Sequence, residues 1–210
     1  MKKFLIECCV ESYDEALSAE KKGADQIELC SDLNNDGLTP EFKLVKKVIN
    51  NISIPIKIMV RPRKGNFCYS NSEMVTIKDQ ITYLKSLGVD HIVFGVLDKK
   101  NNVNIDHVKK ISDWSSPMKI TFHKAIDESI HFFNNIEDLV HTKRVDSLLT
   151  SGQSSTAKAG ARNIKKAINI YGKDIKIISA GKITSKNLDS LHKKIGGNYY
   201  HGREILGKLC

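Results

Sequence analysis

Short β-branched, apolar runs alternate with amphipathic helical patterns through the whole chain, and this alternation restricts the fold more than any other feature. The runs are FLIECCV (4–10), QIELC (26–30), IKIMVRP (56–62), HIVFGVL (91–97), KITFHKA (119–125), SLLTSG (147–152), IKIISAG (175–181) and YYHGREI (199–205). Helical patterns fill the gaps: SYDEALSAEKKG, TPEFKLVKKVINN, SEMVTIKDQITYLKSLG, and stretches at 106–114, 129–142, 154–171 and 184–195. Strict alternation predicts a parallel sheet joined by crossover helices. Eight strands spaced about 20–35 residues apart predict a closed TIM-like (β/α)₈ barrel rather than an open doubly wound sheet. No linker or shift of composition divides residues 1–210, which read as a single barrel domain. The final, eighth helix is missing. A groove is therefore expected between the first and seventh helices, to be filled by the tail 205–210 or by a second copy in a homo-oligomer.

Local signals mark several helix ends. Ser12, with Glu15 three residues on, reads as a capping box, and Gly23 as the stop. Thr39 reads as a cap with Pro40 at the first helical position. In TSGQSSTA, Ser154 or Ser155 reads as an N-cap, and the same segment offers backbone N–H groups that would seat a carboxylate or phosphate.

Composition excludes several classes. The net charge of +9 suggests nucleic acid, but only five of the 33 basic residues are Arg, and no basic run with interleaved aromatics occurs. The lysines read as a solvated surface. Five irregularly spaced cysteines (Cys8, Cys9, Cys30, Cys68 and Cys210) form neither a disulfide framework nor a CxxC zinc knuckle. Lys2 and Lys3 precede an apolar run, but Glu7 interrupts it too early for a signal peptide, and no run nears the ~18 residues of a membrane span. A cytoplasmic protein with no membrane partner is expected.

Side chains alternate along a strand. Phe4, Ile6, Cys8 and Val10 form the helix-facing set of the first strand, so Glu7 and Cys9 face the axis. Glu28 and Cys30 follow on the second strand, Lys57, Met59, Arg61 and Arg63 on the third, and Thr121 and His123 on the fifth. Buried charges are costly unless paired. The set therefore reads either as a self-neutralised network, with Lys57 and Arg61 balancing Glu7 and Glu28, or as an active site at the C-terminal strand ends.

IECCVES, GADQIELC, GLTP, IMVRPRKGNFCYS, TFHKAID and LTSG follow in this order and spacing, and together they resemble the CutC copper homeostasis protein family over residues 4–201. The resemblance implies a TIM-like barrel, a cytosolic location, copper handling and Cu(I) binding through cysteine, falling on Cys9 and Cys30. Glu7, Glu28, Arg61, Arg63, His123, Asp127 and His201 also match family positions, whereas Lys124, Ile126, Asn66, Asp36, Lys182 and Gly202 depart from the pattern.

Thiolates from Cys9 and Cys30 suit Cu(I), and Arg61 or Lys57 nearby would lower their pKa. The same two thiols also read as small buried packing residues. Zinc would need His123 and His201 as well. The alternative function is an enzyme acting on a small anionic metabolite, a carboxylate or phosphate, with Glu7, Glu28 and His123 as acid–base groups and Arg61 as the clamp. A nucleophilic Cys9 activated by His123 belongs to that reading, whereas Lys124 faces outward by parity. A third reading is a partner-binding scaffold acting through the groove. His91, His107, His131, His141 and His192 match no ligand spacing and read as solvated or structural, and Trp114 and Cys68 as packing or loop residues.

Overall fold

Eight strands pair in chain order and close on themselves: β1 (Leu5–Val10), β2 (Gln26–Leu29), β3 (Ile56–Met59), β4 (His91–Phe94), β5 (Lys119–Phe122), β6 (Ser147–Thr150), β7 (Lys176–Ser179) and β8 (Tyr199–Gly202). The computed structural model describes residues 4–209, so Lys2, Lys3 and Cys210 lie outside the described residues. Every pairing is parallel. The helices are α1 (Tyr13–Lys21), α2 (Phe42–Ile49), α3 (Asn71–Ser86), α4 (Ile105–Ser115), α5 (Phe132–Thr142), α6 (Ala157–Tyr171) and α7 (Leu188–Ile195), seven among the described residues. The TIM-like barrel without its last helix is the observed architecture.

Each strand after β1 stops earlier than its apolar run. β3, for example, ends at Met59, ahead of Pro62, which has no N–H for a ladder. The residues just past the strand ends build the wall of the C-terminal mouth.

Strand parity holds within the ladders. Ile6, Cys8, Val10, Ile27, Leu29, Ile58, Ile92, Phe94, Ile120 and Phe122 join one core with Ala16, Ala19, Val45, Val48, Ile77 and Ile81 of the surrounding helices. Cys8 is fully buried in that layer, as its parity requires. Inside the barrel, Cys9, Cys30, Met59 and Val93 form one apolar cluster, and Leu149, Ile178 and Ala180 another. Each aliphatic side chain removed from water contributes about 1.5–3 kcal/mol, so the outer layer carries most of the stability.

Helix ends follow the sequence only in part. Ser12 Oγ accepts from Glu15 N–H, but the Glu15 carboxylate takes the Glu11 N–H, so the box is half formed. Thr39 is not the cap of α2. Glu41 takes that position, and Thr39 Oγ1 accepts from Arg61 N–H and donates to Gln80, tying the β3 end to α3. The cap of α6 is Thr156, neither Ser154 nor Ser155, because the two serines still belong to the mouth loop.

The expected groove is covered by the tail. Ser18 Oγ on α1 donates to Leu209 O at 2.6 Å, and Lys22 Nζ reaches Lys208 O. Leu206 and Leu209 pack against the core, and Ile205 is buried in it. Phe4 stacks on Tyr200 and His192 at 5.2 and 4.7 Å, closing the same seam from the α7 side.

Candidate functional site

Register brings the charged residues of the axis together. Glu7 pairs with Gln26 on one side and His201 on the other, and Glu28 pairs with Cys9 and with Lys57. Glu7 is fully buried and satisfied from three directions: Lys57 Nζ at 2.7 Å, His201 Nδ1 at 2.7 Å and Gln26 Nε2 at 2.5 Å. Burial pushes the Glu7 carboxyl up, but Lys57 and His201 outweigh it and hold it at about 2. Half of the expected self-neutralised network is therefore present, in the Lys57–Glu7 pair.

The other half is not. Arg61 turns away from both carboxylates and donates to the carbonyls of Asn35 (2.9 Å), Gly37 (3.2 Å) and Gly65 (3.0 Å). His201 stands in its place. Its Nε2 lies 3.8 Å from Glu28 Oε2 while its Nδ1 holds Glu7. Burial disfavours the imidazolium, yet Glu28, Cys9 and Glu7 together raise the His201 pKa well above its usual range. Burial raises Glu28, with the Glu7 charge adding to it and His201 opposing. His201 is absent from the axis residues that alternation identifies; next to the fully buried Tyr200 on β8 it turns inward, and its link to both carboxylates needs the closure of β8 onto β1.

The two thiols meet at the mouth. Cys9 Sγ and Cys30 Sγ are 3.7 Å apart and unbonded, and they lie 3.5 and 3.6 Å from Glu28 Oε2, which accepts from both. They are not at equal register: Cys9 sits opposite Glu28, and Cys30 lies two residues further along. Strand tilt in a closed barrel brings such offset positions to one height. Gly37 closes over Cys30 at positive φ, and a Cβ there would sit 3.2 Å from the sulfur.

Neither thiol is activated in the way the sequence suggested. Cys9 is pushed well above its ordinary value by its hydrogen bond to Cys30, by burial and by Glu28. For Cys30 the bond with Cys9 favours the thiolate, but burial and Glu28 prevail and push it up to about 11. Arg61 is engaged with carbonyls and Lys57 with Glu7, so neither favours a thiolate; His201 does favour it at Cys9 but is outweighed by Cys30, burial and Glu28. Two ligand clusters result, Cys9–Glu28–Cys30 and Glu7–Glu28–His201, sharing Glu28.

A cavity of about 600 Å³ opens above them, walled by Cys9, Glu28, Cys30, Arg61, His123 and His201 among others. Glu7 is not in its wall. His123 follows β5, across the closed barrel from β1, and no contact joins it to Cys9, so the nucleophile pairing is not assembled. Arg63 leaves the barrel, pairing with Glu73 and donating to the carbonyls of Asn66 and Cys68. Lys124 is not on the outer face: His123 starts a 3₁₀ turn, Lys124–Glu128, strand parity lapses, and Lys124 lines the cavity mouth.

Asp127 occupies the expected anion seat. Its carboxylate accepts from Thr150 Oγ1 (2.5 Å), Ser151 N (2.8 Å), Ser151 Oγ (2.9 Å) and Gln153 N (2.9 Å), spending the N–H groups of the TSGQSSTA loop. Among the other histidines, His91 is structural: it bonds Thr121 Oγ1 at 2.9 Å, and burial holds it neutral with a pKa of about 3.

Fold and site together define a TIM-like barrel whose C-terminal mouth carries a paired-thiol, carboxylate and imidazole cluster. The chain matches the model of the CutC family over residues 4–206. It is 35% identical over 198 residues to the human copper homeostasis protein cutC homolog, covering 94% of this chain and 72% of that protein. The chain belongs to the CutC family. A crystal structure described as a CutC copper homeostasis protein from Streptococcus agalactiae superposes with a TM-score of 0.90 at 24% identity, over 96% of this chain and 99% of that one. A phosphoribosylanthranilate isomerase from Thermotoga maritima shares the barrel alone, with a TM-score of 0.59 at 10% identity over 95% of this chain and 86% of that one.

Proposed function

We propose that this chain binds Cu(I) as cargo through Cys9 and Cys30 and serves copper homeostasis. The observation that carries the reading is the pair of sulfurs 3.7 Å apart in the cavity wall. Two sulfurs on one soft ion at ~2.3 Å each can be no more than ~4.6 Å apart, so the spacing fits a shared ion without movement of the strands. Thiolates select Cu(I) over harder cations. Glu28 and His201 supply the surroundings: Glu28 takes hydrogen bonds from both thiols, and His201 places positive charge beside an anionic thiolate pair. Both thiols carry protons before binding, so loading releases them. Thiols that must stay reduced suit the cytoplasm, and no helix of the described residues is long and apolar enough to cross a membrane.

The test is a Cu(I) titration against a competing chelator under reducing conditions. The wild-type chain is expected to bind one ion at sub-micromolar level, and Cys9→Ser and Cys30→Ser each to lose at least about tenfold in affinity. Unchanged affinity in the double variant sinks the reading. The enzyme alternative draws no comparable support, because Glu7 is closed off from the cavity and Asp127 fills the loop meant for an anion.

A further inference from the structure

The copper reading uses the thiols of the β1–β2 side of the cavity. Two further buried side chains in the cavity wall, past the ends of β3 and β5, each keep one donor nitrogen without a partner. His123 is 4% exposed, and its Nδ1 accepts the Ala125 N–H at 3.1 Å. The ring proton is thereby fixed on Nε2, and Nε2 has no partner. The ring cannot swing to find one. Phe67 packs on it at 4.9 Å, and Gly95 lies so close beneath that a Cβ there would be 2.3 Å from Cε1 and Nδ1.

Arg61 flanks the same Phe67 ring, with its guanidinium carbon 4.9 Å from the centroid. It too is 4% exposed, its Nη atoms bond only carbonyls, and its Nε has no partner. No carboxylate pairs with it among the described residues. A buried N–H left unpaired costs about 1–3 kcal/mol, and a buried cation without a counter-charge costs more. Burial and the neighbouring Arg61 charge keep His123 neutral, with a pKa of about 3, so it serves as a donor rather than a second cation.

A small anionic acceptor would take both unspent N–H groups. A phosphate fits poorly. The loop N–H groups that would cradle it are held by Asp127. At about 600 Å³ the cavity falls within the size range of small-molecule sites.

We propose that the cavity is a binding site for a small carboxylate-bearing molecule, its carboxylate accepting hydrogen bonds from His123 Nε2 and Arg61 Nε. The site stands on residues just past β3 and β5 and takes no ligand atom from the thiol pair, so it is tested separately from copper binding.

The experiment follows the His123 imidazole by ¹⁵N–¹H NMR in histidine-labelled protein, titrated separately with pyruvate, succinate and inorganic phosphate. Pyruvate or succinate is expected to move the Nε2 resonance saturably and phosphate to leave it in place. Affinity for the responding carboxylate, read by calorimetry, should fall at least about tenfold in His123→Phe. No saturable shift with either carboxylate overturns the proposal, as does an equal response to phosphate or unchanged affinity in His123→Phe. Should His123→Phe fail to fold, the wild-type Nε2 resonance alone decides. A carboxylate site without copper binding refutes only the copper reading, and copper binding without a carboxylate site refutes only this one.

Discussion

Replacing Lys57 by Met removes the one fixed cation of the barrel axis while keeping the stem that fills it. Lys57 is 3% exposed and holds Glu7 at 2.7 Å, and Glu7 is fully buried. The Glu7 carboxyl sits at about 2 against its ordinary 4.5. At ~1.4 kcal/mol per pH unit that difference is about 3 kcal/mol of native stability at neutral pH, near the lower end of the ~3–5 kcal/mol lost when one partner of a buried pair is removed. Lys57→Met is expected to lower unfolding free energy by about 3 kcal/mol at pH 7; with a urea m-value of ~3 kcal/mol/M, the midpoint drops by about 1 M. The pH dependence comes from the direction of the shift. The folded value lies below the unfolded one, so the stabilisation is complete above about 4.5 and is lost as pH falls toward about 2. In the variant the folded value climbs, because burial is then opposed only by His201 and the Gln26 amide. The gap between wild type and variant should be widest near neutrality and narrow in acid. Adding Glu7→Gln to the variant removes the stranded charge and should recover part of the loss. Equilibrium urea denaturation from pH 7 to about pH 3 measures all of this. A loss under about 1 kcal/mol, or a gap that does not change with pH, refutes the assignment of Lys57 as the partner of Glu7.

Three further substitutions separate neighbouring roles. Gly95→Ala places a Cβ 2.3 Å from the His123 ring and should cost about 1–3 kcal/mol in thermal unfolding, while displacing the Nε2 resonance. Asp127→Asn turns an amide donor toward Ser151 N–H or Gln153 N–H, so the mouth loop should loosen, with a loss of about 2 kcal/mol by chemical denaturation and faster amide exchange at those two positions. Cys8→Ala removes a fully buried sulfur from the helix-facing layer, so it should cost about 1 kcal/mol of stability and leave Cu(I) affinity untouched.

The barrel was legible because its signal is repeated in each strand–helix unit, and no single boundary had to be right. Individual helix ends were less so, because caps depend on competition. Thr39 is a good cap by type, yet the N–H of Arg61 and the side chain of Gln80 engage it first. The thiol pair was legible too, since Cys9 and Cys30 carry the same parity on adjacent strands. What alternation does not carry is distance around the barrel. Glu7 and His201 are 194 residues apart in the chain and become partners only when β8 closes onto β1.

Parity fails where the ladder ends, and the failures share one physical cause. Arg63 and Lys124, the two residues that leave their expected side, lie beyond the last ladder residue of their strands, Met59 or Phe122. There the backbone no longer alternates, and each side chain goes where a partner is found. Arg63 swings out to Glu73, and Lys124 turns to the mouth because His123 begins a 3₁₀ turn. Arg61 and His123 stay buried, each with a donor still unspent. Inside the ladder, by contrast, Lys57 is committed to Glu7, and His201 to Glu7 and Glu28. The axis residues that alternation identifies most cleanly are thus the ones that hold the barrel together. The proposed ligand sites fall on residues at and just past the strand ends, where Cys9, Cys30, Arg61 and His123 face one cavity.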